Sequence, residues 1–409
     1  MSWTTRTRFR RFAPISIAVI TAAILTAAAG PASAFDRLWV FGDSTVDTGW
    51  YNVRPSGEAK FDQYLSTYNL ARPRNTPPTY GMGKATSNPG PISVEVLARL
   101  IGTEVLPADQ PILPQTLPLV ANLPAPTAPD LIVQLPPELQ ALLFRTNYAT
   151  GGARNHAVNP SGIGLFPNAV PTETQIADYM SQHHPTPNAL YLISSGGNDV
   201  SFALNSLTEG REAYVTGAAD SLAAAIATLQ QGGAQFIIVT NLPESFGNAN
   251  QRALRQLYNA ELMSKLTALG VSFAWADMNS VRQQIVANPA RFGITHTTNA
   301  EGDRACTTPV ETSGITSGWA YVCSPSSPAS EPIGPIFAEQ ALFADNEHWA
   351  TGGHSILGSY YYCLALKTWP QQFPLPQQLP LRPIRFFPPF GPQPPTPCTT
   401  FQPVVAGVQ

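Results

Sequence analysis

Apolar residues along the chain gather in short runs, and nearly every run stops at a Gly, Asn, Ser or Asp. The runs are Leu38 to Phe41, Leu143 to Tyr148, Leu190 to Ser194, Phe236 to Thr240 and Val271 to Trp275. The fourth is the clearest, being β-branched, almost wholly apolar and set off by Gly232 and Gly233. Runs without strict alternation predict strands buried on both faces. Between them the apolar spacing changes to steps of three and four. Leu222, Ala225, Ile226 and Leu229 mark one helix over 211–229, and Leu254, Leu257, Leu262, Leu266 and Leu269 mark another over 253–269. A last helix is predicted over 351–367, with Pro370 as its stop. Strands alternating with helices predict an α/β fold with a largely parallel sheet.

Three regions break this rhythm. Residues 106–137 hold nine prolines, from Pro107 to Pro137, which remove backbone donors and predict an extended surface insertion. Residues 295–335 are polar and rich in Gly and Pro, and read as a long excursion. From Pro370 onward the chain is again proline-rich, but its aromatic residues and Cys398 predict a tail packed back on the domain. At the other end, Arg6, Arg8, Arg10 and Arg11 precede an Ala-rich apolar stretch that closes at Ala32-Ser33-Ala34. That order predicts a secretory signal peptide over 1–34, cleaved before Phe35. A membrane anchor fits less well, because the stretch ends in Gly30-Pro31, and no later stretch is long and apolar enough to span a bilayer. The expected organisation is a leader over 1–34, one domain over 35–369 and a tail over 370–409.

Charge and cysteine content narrow the classes of function. Loss of the leader removes four arginines and no acid, moving the formal charge from −3 to −7. A chain of that sign without a Lys/Arg cluster is not expected to bind nucleic acid. All four cysteines lie in the last third. In an exported chain they predict two disulfides. Three pairings are open. The expected one, Cys306–Cys323 with Cys363–Cys398, closes the shortest local loops. No C-x-x-C pair is present, so zinc is not expected.

Ligands of open parallel sheets bind beyond the carboxyl ends of the strands. Gly42-Asp43-Ser44 follows the first predicted strand, Asn147 to Asn155 the second, and Ser194 to Asp199 the third, while Asp345-Asn346-Glu347-His348 stands before the last helix. Ser44 read alone would serve as a helix cap. The four clusters together hold what acyl transfer requires. A serine hydroxyl needs a base, an imidazole suits that role, and a carboxylate fixes the imidazole's tautomer. Backbone N–H groups at glycines and a side-chain amide can face an oxyanion.

The blocks VFGDSTVDTG, NYATGGA, SGGND and DNEHW, with GKATSNPGPISVEVLARLIG over 83–102, resemble in order the GDSL esterases and lipases of the SGNH-hydrolase superfamily. The resemblance spans 38 to about 366 and is closest to that family's long secreted branch. It implies a three-layer α/β/α sandwich with a flavodoxin-like sheet and no cofactor. It also implies Ser44 as nucleophile, His348 as base and Asp345 as its partner. The oxyanion donors it implies are the Ser44 amide, Gly152 and Asn198. Two positions depart from the family: Trp349 where proline follows the histidine, and Trp50 where asparagine is common. Both indoles are expected near the site, narrowing the pocket or walling the acyl group. His354 is expected at the helix–sheet interface and His183-His184 in an exposed loop. Asp43, Asp47 and Asp199 are expected to brace the loops, and His156 is not assigned to the site. The expected protein is a secreted or periplasmic esterase or lipase acting on small-molecule or lipid esters. The insertion favours lipid or aryl acyl groups. A carbohydrate O-acetylesterase and an acyltransferase share the chemistry. A non-catalytic binding module would show a broken triad, and the triad positions here are intact. No membrane barrel follows the hydrolase segment, so a self-transported surface form is not expected.

Overall fold

A computed structural model describes residues 34–52, 54–70, 83–88, 90–108, 145–156, 166–244, 247–300, 302–306, 319–324, 335–373 and 396–401. The expected leader up to residue 33, the insertion from 109 to 137 and most of the tail lie outside the described residues.

Among those residues the sheet has six strands: β1 (Leu38–Gly42), β2 (Leu106–Pro107), β3 (Arg145–Asn147), β4 (Leu190–Ser194), β5 (Phe236–Thr240) and β6 (Ala274–Ala276). Their order is β2-β3-β1-β4-β5-β6 and every pairing is parallel. Without the short edge strand β2, the order is the doubly wound one of flavodoxin-like sheets. β1 is the switch point, with the chain going to β3 on one side and to β4 on the other. Its register with β4 runs from Leu38↔Leu190 to Gly42↔Ser194, so the segments after Gly42 and Ser194 leave the sheet side by side.

Eight helices longer than two turns flank the sheet in the described residues: α1 (Ala59–Leu70), α2 (Ser93–Leu100), α3 (Thr172–Gln182), α4 (Gly197–Ser206), α5 (Arg211–Gln231), α6 (Ala249–Ala268), α7 (Met278–Ala287) and α8 (Thr351–Thr368). The strands' period of two sorts their side chains between two cores. Trp39, Phe41, Tyr191, Ile193, Ile237 and Val239 enter one, with residues of α3, α5 and α6. Leu38, Val40, Leu190, Leu192, Phe236 and Ile238 enter the other, with residues of α2, α7 and α8. Both faces are covered, which is why the strands carry almost no polar positions and why the architecture is the expected three-layer α/β/α sandwich. Side-chain caps set two helix starts: Asn248 accepts the Gln251 N–H at 3.0 Å, and Asp277 accepts the Ser280 N–H at 3.0 Å.

Some expected boundaries change. Leu106 and Pro107 do not open the surface insertion but form the edge strand, where a proline's missing donor is tolerated. The last strand is Ala274–Ala276 and not 271–275, because Val271 and Phe273 turn into the core beside α6. The helices α1, α3, α4 and α7 are rich in polar residues, and no apolar stripe announces them.

Cysteine pairing is the nearest-neighbour one, Cys306–Cys323 and Cys363–Cys398, with Cα atoms 5.9 and 5.4 Å apart. The second bond brings 396–401 onto α8. Thr396 N–H donates to Ser359 Oγ at 3.1 Å, Arg291 donates to the Thr399 carbonyl at 2.7 Å, and Phe401 packs on Tyr360 and Phe292. Replacing Cys363 and Cys398 together by serine is expected to destabilise the fold by about 3 kcal/mol, lowering the thermal midpoint by several degrees. An unchanged melting curve would show that the bond contributes nothing.

Candidate active site

The site is built where β1 and β4 part. Gly42 has φ +147°, and a Cβ there would run into the Ser194 carbonyl, so only glycine lets the chain turn this close to β4. Asp43 N–H donates to that carbonyl at 3.1 Å, and the Asp43 carboxylate accepts the Thr45 N–H at 3.0 Å. Residues 44–46 then form a turn, and no helix follows for Ser44 to cap.

Ser44 Oγ lies 3.0 Å from His348 Nε2. His348 Nδ1 lies 2.9 and 3.1 Å from the two oxygens of Asp345. A carboxylate can only accept here, so Nδ1 carries a proton, and in the neutral imidazole Nε2 is left to accept from the serine hydroxyl. Asp345 is 4% exposed and accepts the N–H groups of Glu347 (2.9 Å), His348 (2.7 Å) and Ala320 (3.2 Å). Burial alone would raise its pKa, but the charge and hydrogen bond of His348 and the N–H groups of Glu347 and His348 bring it down to about 2. Burial alone would lower His348, but the Asp345 charge and hydrogen bond, with Glu347 and Asp43 beyond, lift it to about 9. The Tyr321 ring stands 6.0 Å from the imidazole at 83°, an edge contact against its flank.

The expected oxyanion donors differ in whether their hydrogens are already engaged. Gly151 N–H is engaged by Asp47 at 2.9 Å. The N–H groups of Ser44 and Gly152 have no partner among the described residues. Gly152 has φ +76°, and a Cβ there would press on Phe166 at 2.8 Å. The Asn198 amide donates to the Ala153 carbonyl at 2.8 Å, which leaves its second hydrogen uncommitted.

The three expected bracing carboxylates are buried. Asp47 accepts Gly49, Trp50 and Gly151 N–H, joining the first block to the second, and burial pushes it up to about 7. Asp199 accepts Asn155 N–H at 3.0 Å, and burial pushes it up to about 7 as well. Burial raises Asp43 too. Two further braces were not foreseen. Asn147 donates to the Val46 carbonyl at 2.6 Å and accepts Ala149 N–H at 2.8 Å, and Gln175 of α3 bonds Gly42. Asn147 opens the NYATGGA block; nothing in the sequence marks Gln175.

The other histidines and the two tryptophans have settings of their own. His354 accepts Ser93 N–H at Nδ1 and faces the Ala85 carbonyl through Nε2, and burial holds it neutral, down to about 3. His156 bonds Ser221 of α5. His183 is not in an exposed loop: it stacks on Tyr179 and meets the Trp39 ring at a tilt, and burial lowers it to about 4, while His184 is exposed. Trp349 does not wall the site; it is 5% exposed and stacks on Phe343 in the core. Trp50 is buried likewise. Among the described residues no group of three His, Cys, Asp or Glu could hold a metal ion, and no helix is long and apolar enough to cross a membrane.

Residues 38–360 match the family described as GDSL-like lipase/acylhydrolase. The chain is similar to Esterase EstA of Pseudomonas aeruginosa and of Pseudomonas putida, 26% identical over 377 residues in each case. It is also similar to an uncharacterized protein in the trpE-trpG intergenic region of Pseudomonas putida, 24% identical over 375 residues. These matches cover 87% of this chain but only 51–52% of the relatives, so the chain spans about half their length.

Proposed function

Because the chain belongs to the GDSL-like lipase/acylhydrolase family, we propose that it hydrolyses carboxylic esters through Ser44, His348 and Asp345. One observation supports this reading: Ser44 Oγ, His348 Nε2 and Nδ1, and Asp345 form an unbroken line of hydrogen bonds.

Ser44 Oγ attacks the ester carbonyl as His348 Nε2 takes its proton. Asp345 steadies the imidazolium, and the former carbonyl oxygen, now negative, faces the N–H groups of Ser44 and Gly152 and the Asn198 amide. Collapse breaks the ester C–O bond, and His348 returns the proton to the leaving alcohol. Water then repeats the sequence on the acyl-serine, releasing the acid and restoring the hydroxyl. No step calls for a cofactor.

Export is part of the proposal, supported by the Arg-flanked apolar stretch ending at Ala34 and by the two disulfides. The proline-rich segment over 106–137 favours lipid or aryl acyl groups. The test is hydrolysis of p-nitrophenyl esters from acetyl to palmitoyl by the purified chain from Phe35 onward. Turnover with an optimum at one chain length is expected. Folded protein inert toward the whole series would overturn an esterase of broad acyl esters.

A further inference from the structure

The polar helix α3, which no apolar pattern announced, touches three of the four loops that carry the site, all but the one bearing Asp345 and His348. Thr172 N–H donates to the Arg154 carbonyl at 2.9 Å, and Glu173 N–H to the Asn155 carbonyl at 3.0 Å. The Thr172 hydroxyl meets the Ser195 hydroxyl at 2.8 Å. One turn on, Gln175 reaches the first loop. Its Oε1 accepts Gly42 N–H at 2.8 Å, and its Nε2 donates to the Gly42 carbonyl at 2.9 Å and to the Val170 carbonyl at 2.8 Å.

The carboxamide thus pairs with both polar groups of one residue, as a neighbouring peptide in a sheet would. It does so at the end of the ladder: Gly42 is the last residue of β1, two before Ser44; its carbonyl is shared with the Thr150 N–H at 3.0 Å, but its N–H has Gln175 as its partner. The φ of Gly42 lets the chain turn, and Gln175 adds a side-chain clamp to the backbone bonds of Asp43 and Thr150 that hold the turn. Gln175 is 1% exposed, and every hydrogen-bonding position of its amide but one acceptor lone pair is used.

We propose that Gln175 is a positioning residue for the nucleophile: it fixes the turn that aims Ser44 at His348, and through α3 keeps that turn in register with the loops bearing Gly152 and Asn198. The inference rests on Ser44 being the nucleophile. It needs both a donor and an acceptor at position 175. Methionine supplies neither and keeps the length. Glutamate keeps the shape. Ionised, it faces two carbonyl oxygens with lone pairs only; protonated, it again donates to one and accepts the Gly42 N–H.

The experiment compares the wild-type chain with Gln175→Met, Gln175→Glu and Ser44→Ala. It measures kcat, KM and the rate of serine labelling by an alkyl fluorophosphonate, with circular dichroism to establish folding. Gln175→Met is expected to lower kcat and the labelling rate by ~10²-fold, the loss a misplacement of about 1 Å produces, with KM within about twofold. Gln175→Glu is expected to lie between, its activity relative to wild type falling as pH rises and the carboxyl ionises. A stabilising role alone would lower the melting midpoint and leave the folded protein's kcat and labelling unchanged. Either folded variant with wild-type kcat and labelling at all pH values overturns the inference. If Gln175→Met does not fold, Gln175→Glu decides. Turnover retained by Ser44→Ala would instead overturn the nucleophile assignment, an outcome the series keeps separate.

Discussion

Ser44→Ala is expected to lower kcat/KM for any ester substrate by ~10⁴-fold or more, the scale on which removal of a serine nucleophile acts in a working triad. The loss is large because no neighbour can replace the hydroxyl. Ser195 Oγ is bonded to Thr172, away from the imidazole, and Ser194 Oγ accepts from Thr240. What survives is a site that still binds and polarises the carbonyl, so residual turnover above the uncatalysed rate is expected. Stability should hardly move. The Ser44 hydroxyl's partner is His348 Nε2 on a ring that is 20% exposed, and water can take its place. The contribution of such a bond is about 1 kcal/mol. Turnover of the purified variant within tenfold of wild type, with an unchanged melting curve, would end the nucleophile assignment.

Asp345→Asn is the second large effect. The carboxylate accepts from four groups at once, the His348 ring and three backbone N–H groups. An amide keeps one oxygen and turns its other end into a donor. If the oxygen stays with the N–H groups of Glu347 and His348, the NH₂ faces Nδ1. The ring must then carry its proton on Nε2, where it cannot accept from Ser44. A loss in kcat of ~10⁴-fold is expected. The pH profile gives the second readout. Wild-type kcat/KM should climb with pH to a plateau as His348 loses its proton at about 9. In Asp345→Asn that limb should fall to or below the ordinary imidazole value of about 6.5. The pair also defines a stability window. Asp345 is lowered on folding, so its contribution is present above its unfolded value of about 3.9 and is lost as pH falls toward 2. His348 is raised on folding, so its contribution is full below about 6.5 and is lost as pH rises through about 9. Activity that keeps the wild-type acid limb in Asp345→Asn would show that the carboxylate does not set the imidazole.

Much of the central sheet was legible because its physics is local. β5 is apolar on both faces, and its run and its strand coincide at Phe236–Thr240. The candidate triad was legible for a different reason, since Gly-Asp-Ser and Asp-x-x-His are short motifs whose order along the chain matches a family. What could not be read depends on distant partners. β2 carries a proline and is a strand only because it lies at an edge beside β3. Gln175 looks like any glutamine on a polar helix; its meaning is its contact with Gly42, 133 positions away. His183 is polar in sequence and half-buried in fact, because Trp39 and Tyr179 offer it a ring face. In each case the deciding contact belongs to the tertiary fold, where propensity and period have no reach.

The 304 positions between Ser44 and His348 have a consequence in time. A chain made from its amino end has all the described strands of its sheet by Ala276, with Ser44, Gly152 and Asn198 already synthesised, and under the proposed mechanism it would still be inert. The proposed base, His348, arrives only with the last quarter, in which both disulfides also become possible. A nascent or prematurely terminated polypeptide would therefore carry an unarmed serine, and hydrolytic competence would mark the moment at which nearly the whole molecule has been assembled.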